Sequence, residues 1–132
     1  MKTCVLTIVS TVDGKENTFS YSAEIEFLEG FVCLRYEEEG GETQLCLREG
    51  EASIVRKGAY GLSLVLKEGE RGKGLLTVAG STGEIEVLAN RIGYSIGKNS
   101  LLAIVKYSMF FEKEIQEMSL RIKASYDNSE EK

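Results

Sequence analysis

The sequence predicts an all-β fold, a single antiparallel up-and-down barrel of eight to ten strands joined by short Gly-rich turns. Three observations carry this. Apolar and polar residues alternate with a period of two along most of the chain. Fourteen glycines break the alternation at roughly ten-residue intervals, as hairpin turns demand. No segment carries an apolar stripe of helical period.

The alternation is plainest where Phe19, Tyr21, Ala23, Ile25 and Phe27 interleave with Ser20, Ser22, Glu24 and Glu26. Tyr60, Leu62, Leu64 and Leu66 repeat it, as do Met118, Leu120, Ile122 and Ala124. Strands are expected near 2–12, 18–28, 31–37, 43–48, 51–57, 60–67, 72–79, 84–96, 100–110 and 113–125. Two of them can be halves of one bent strand. Gly93 is the expected bulge in the longest. Phe111 to Met118 has helix-favouring residues but runs straight into an alternating segment, so it reads as turn and strand. Strands 31–37, 43–48 and 100–110 are apolar on both faces, which leaves their inward side open.

One apolar face per strand and short turns mean successive antiparallel pairing. An open sheet of that many strands exposes two edges, and closing it removes both. Residues 1–125 form one domain and 126–132 a flexible polar tail.

Composition narrows the function. Of 132 residues, 42% are hydrophobic, as in a folded globular chain. There is no His, which excludes a Ser-His-Asp triad, a Cys-His pair and imidazole metal ligation. Sixteen Lys and Arg against 21 Asp and Glu give a net charge of −5, the wrong sign for phosphate-driven nucleic-acid binding. No secretory signal or membrane-spanning helix is legible, so a cytoplasmic location is expected. Cys4, Cys33 and Cys46 are widely spaced with apolar neighbours and are expected to be three reduced thiols. With no Cys-x-x-Cys pair, neither a metal nor any other cofactor is implied.

From about Phe31 to Lys123 the chain resembles the YwiB-like family of Gram-positive bacteria. Arg35-Tyr36-Glu37-Glu38, Val55-Arg56-Lys57-Gly58, Thr82-Gly83, Lys106-Tyr107 and Leu120-Arg121-Ile122 carry the likeness, in order. Where the family commonly has Tyr-x-Thr-x-x-Gly, this chain has Leu76-Thr77-Val78-Ala79-Gly80, without the Tyr. The resemblance implies a calycin-like, lipocalin-type barrel and no assigned activity.

Charged residues on mixed strands are the candidates for a site. Arg56 shares a face with Ala52 and Ile54, and a buried guanidinium needs a carboxylate. Glu37 is its expected partner, with Arg35 on the same face as Glu37 and Tyr36 on the other. Arg35, Tyr36, Glu37, Arg56 and Tyr107 are therefore the candidate ligand-binding residues. The same residues can instead serve as an ion pair that closes the barrel's end and tyrosines that fill the core. Glu37-Glu38-Glu39 with Glu42 reads as a solvated turn, and Glu24, Glu26, Glu84 and Glu86 as outward residues in water. Gly69, Gly72 and Gly74, with Arg71 and Lys73, read as a hairpin tip rather than a phosphate loop.

The expected function is non-catalytic binding of a small amphipathic or apolar ligand inside the barrel. The alternative is a filled barrel acting through a homodimer or partner surface of Leu28, Val32 or Leu34, Leu88, Phe110 and Phe111. A third is a His-independent acid–base enzyme using Arg56, Glu37 and Tyr107. Neither nucleic acid nor membrane is an expected partner.

Overall fold

The structure, a computed structural model, describes residues 2–38 and 40–127. Ten strands run in chain order: β1 Lys2–Val12, β2 Lys15–Leu28, β3 Phe31–Glu38, β4 Gly41–Arg48, β5 Glu51–Gly58, β6 Tyr60–Lys67, β7 Arg71–Val78, β8 Ser81–Ile96, β9 Ser100–Phe111 and β10 Glu114–Ser125. Each pairs antiparallel with the next, and β1 closes on β10 to complete the barrel. None is half of a bent strand, and Phe111–Met118 is a turn followed by β10.

The turns explain the regularity. Asp13-Gly14 and Ala79-Gly80 are two-residue connections with all four φ angles positive, from 50° to 85°. That backbone matches the twist of the strands it joins, and Gly adopts it without steric cost. Asp13 accepts the Glu117 amide proton at Oδ1 (2.9 Å), which ties the first turn to β10.

The bulge lies at Asn90, not at Gly93, which pairs regularly with Ile104. The cause is tertiary. The β7–β8 pairing ends at Arg71 and Leu88, which frees the next stretch of β8. The β6–β7 turn fills that stretch: the Gly69 amide donates to the Ala89 carbonyl (2.8 Å) and Glu68 Oε1 accepts from the Ile92 amide (2.7 Å). Asn90 is turned outward, where its amide donates to Ser108 Oγ (3.1 Å). Gly72 and Gly74 lie within β7 and only Gly69 is in the turn, so the expected glycine tip is mostly strand.

Alternation sorts the side chains. Leu6, Ile25, Val32, Leu34, Leu47, Leu64, Leu66, Val87, Leu101 and Val105 point inward and are each under 2% exposed. They fill the middle of the barrel with aliphatic side chains, so the lumen is a packed core. Val32 and Leu34 therefore belong to the interior and not to an outer patch. Charged side chains such as Glu24, Glu84, Glu86 and Lys123 face out. Among the described residues no helix is long and apolar enough to cross a membrane.

Tyr126, expected in a flexible tail, is buried after β10. Its hydroxyl donates to the Gly97 carbonyl (2.8 Å), and its ring meets Phe27 edge-on at 5.4 Å. The rest of that tail from residue 128 lies outside the described residues.

Two cysteines also depart from expectation. Cys33 and Cys46 stand directly opposite on β3 and β4, Cα atoms 4.1 Å apart, and form a disulfide. Strand register brings them together across a separation of 13 residues, which sequence spacing did not signal. Cys4 is the free cysteine among the described residues. It is buried, and that burial pushes its thiol pKa up.

Candidate functional site

An up-and-down barrel puts alternate turns at opposite ends. One end carries the β1–β2, β3–β4, β5–β6, β7–β8 and β9–β10 turns. There the inward rows change character: aromatic and charged side chains replace aliphatic ones.

β3 supplies Tyr36 and Glu38 to this end. Both follow the parity of Val32 and Leu34, so they point inward and Arg35 and Glu37 point out. β5 supplies Arg56, two residues beyond Ile54 on the inward row and 8% exposed. Thr43 of β4 is paired in register with both Tyr36 and Arg56. β2 and β6 contribute Tyr21 and Tyr60.

Arg56 Nε lies 3.3 Å from Glu38 Oε2. Its Nη1 donates to the Tyr60 carbonyl (3.0 Å), and its guanidinium lies 4.1 Å from the Tyr60 ring centroid. Stacking on a ring and bonding a carbonyl suit a planar, weakly hydrated cation. Thr43 Oγ1 donates to Glu38 Oε2 (2.5 Å) and Tyr21 Oη to Glu38 Oε1 (3.5 Å). Tyr21 stacks on Tyr36 at 4.9 Å and on Phe19 at 6.3 Å.

The environment keeps these phenols protonated. Burial, then the Glu38 charge, raises the Tyr36 and Tyr21 pKa values. Burial pushes Tyr107 up to about 12. They are hydrogen-bonding groups and ring surfaces at neutral pH.

Tyr36, Arg56 and Tyr107 thus lie inside the barrel. Arg35 and Glu37 are on the outer face, where Arg35 pairs with Glu42 at 3.4 Å. The partner of Arg56 is Glu38 rather than Glu37, and the trio Arg56, Glu37 and Tyr107 does not assemble. Glu38 is part of the site and not of a solvated turn; Glu39 lies outside the described residues. Glu38 shares the parity of Val32, Leu34 and Tyr36, but Phe31 and Cys33 make the opposite face apolar as well, so β3 alone left its inward side open. Tyr21, Tyr60 and Thr43 carried no comparable signal, because only the closed sheet brings them to Arg56.

The outer candidates resolve differently. Glu84 and Glu86 face water and pair with Lys73 (3.9 Å) and Arg71 (3.2 Å). Arg71 also covers Phe110, with 4.8 Å from guanidinium carbon to ring centroid. Leu28 and Phe111 are exposed at 40% and 39%, but Phe110 beneath Arg71 does not join them in a bare apolar patch. Among the described residues no cluster of three or more Cys, Asp or Glu could hold a metal ion.

The fold and this end define a closed ten-stranded antiparallel barrel with an ion pair and aromatic rings at one end and a packed centre. The chain belongs to the family described as a domain of unknown function, DUF1934, whose model matches residues 5–122. It is similar in structure to the ywiB protein from Bacillus subtilis, with a TM-score of 0.82 and 17% identity over 96% of this chain and 92% of that one. The barrel and the YwiB-like kinship expected from the sequence are both found. No curated protein matches the chain.

Proposed function

We propose that this protein is a non-catalytic binding barrel that takes a small amphipathic molecule at the end built from Tyr21, Tyr36, Glu38, Arg56 and Tyr60. The observation that supports it is the Arg56–Glu38 pair, set inside the barrel and ringed by aromatic side chains. Phe19 and Tyr60 occupy inward rows yet are each 44% exposed, so ring surface faces solvent at this end. A buried ion pair adds little net stability over an apolar pair of similar volume. Its value here is chemical. Glu38 and the tyrosine hydroxyls offer hydrogen bonds to a polar group, and the rings offer a flat apolar surface. The packed aliphatic centre overturns the expectation of a ligand inside the barrel, and this reading puts the ligand at the barrel's end instead. The reading includes a cytoplasmic location, where the Cys33–Cys46 disulfide would meet a reducing pool.

Native mass spectrometry of the protein purified from cells tests this. The expected result is a reproducible extra mass of a few hundred daltons, lost in Tyr60→Ala and kept in Glu37→Gln. A bare wild-type mass, monomeric or dimeric, overturns it and turns attention to an interaction surface. So does an extra mass that survives Tyr60→Ala together with Glu38→Gln.

A further inference from the structure

A second surface lies on the outside of the barrel, across β8, β9, β10 and β1. It is a wide-open surface groove of about 650 Å³. Its floor is apolar: Val9, Leu102 and Ile104, with Leu102 54% exposed. Gly93, directly opposite Ile104, has no side chain to fill it. A Cβ built on Gly93 meets only Ile104 Cγ2, at 3.9 Å.

The rim is cationic. Arg91, Arg121 and Lys123 line the groove, and Lys106 lies in the adjoining depression. Arg91 and Lys106 are directly paired across β8 and β9, a like-charge arrangement that disfavours the bare sheet. In a chain of net charge −5, the outward cations Arg35, Arg71 and Lys73 each have a glutamate partner. Arg121 is paired with Glu16 at 2.9 Å. Among the described residues, no carboxylate lies within ion-pair distance of Arg91, Lys106 or Lys123.

We infer that this groove binds a single-chain anionic amphiphile, a long-chain carboxylate. The carboxylate sits between Arg91 and its cationic neighbours, and the alkyl chain lies over Val9, Leu102 and Ile104 in the space Gly93 leaves. Charge complementarity selects this occupant. A two-fold contact with a second copy through this face would set these cations against themselves. Nucleic acid would leave the apolar floor unused and meet too few cations. The inference is independent of the ring-lined end.

Calorimetric titration of the full chain with dodecanoate, below its micelle-forming concentration, tests it, with neutral dodecyl maltoside as the comparison. Saturable binding of dodecanoate is expected, at least tenfold tighter than the maltoside. Arg91→Gln with Lys123→Gln, and separately Gly93→Val, are expected to weaken it at least tenfold. Leu102→Gln, at a position 54% exposed, gives the same readout should Gly93→Val fail to fold. Tyr60→Ala is expected to leave it unchanged. Equal affinity for both amphiphiles overturns the inference, as does binding unaffected by the groove variants. Loss of binding in Tyr60→Ala alone overturns it too, while leaving the reading of the ring-lined end intact.

Discussion

Arg56 and Glu38 form an ion pair inside the barrel, Nε to Oε2 3.3 Å, with the arginine side chain 8% exposed and the glutamate 27%. They come from strands that are not neighbours: Thr43 of β4 stands between them and donates to the same carboxylate. This makes the pair a clamp across β3, β4 and β5.

Removing either partner leaves a charge with little water. Arg56→Met and Glu38→Gln are each expected to destabilise the fold by about 3 kcal/mol in urea unfolding. The double variant should cost less than the sum, because the partners share one interaction. Glu37→Gln, on the outer face, should stay within about 0.5 kcal/mol. Equal effects of Glu37→Gln and Glu38→Gln would contradict the assigned parity of β3.

The phenols set an alkaline limit on stability. Tyr107 titrates near 10 when unfolded and near 12 when folded, and Tyr36 is shifted in the same direction. The folded state holds those protons longer than the unfolded chain does. Their contribution to stability is therefore fully present below about pH 10 and is lost as pH rises toward 12. Each phenol contributes a slope on the order of 1 kcal/mol per pH unit. Unfolding of Tyr107→Phe across this range should show a slope shallower by that amount.

The disulfide changes the thiol count. Unfolded without reductant, the oxidised protein should release one titratable thiol, Cys4; after reduction it should release three. Cys33→Ser should lower stability against the oxidised wild type by about 2–3 kcal/mol, the magnitude for a closed loop of this length. Three thiols without reductant would mean that the pair is open.

Two strand glycines should respond unequally to the same substitution. A Cβ on Gly74, buried in β7, would overlap Leu64 of β6. Gly74→Ala should destabilise by about 1–3 kcal/mol through overpacking. Gly93→Ala enters open space beside Ile104 and should stay within about 0.5 kcal/mol. Thermal unfolding of both variants gives the comparison.

The sequence by itself determined the strands, their order and the closure of the sheet. Those follow from a two-residue period and from turn residues such as Asp13-Gly14 and Ala79-Gly80, both local properties. It also placed Arg56 on the row of Ala52 and Ile54. Tertiary structure decided what those residues meet. Glu38 rather than Glu37 faces Arg56 because β3 has one inward parity, set by Val32 and Leu34. The bulge sits at Asn90 because the β6–β7 turn occupies the edge of β8 that β7 leaves free. Cys33 meets Cys46, and Arg91 meets Lys106, because strand register sets them side by side. Alternation is written within each strand, whereas a pairing between strands depends on which rows the closed barrel brings together.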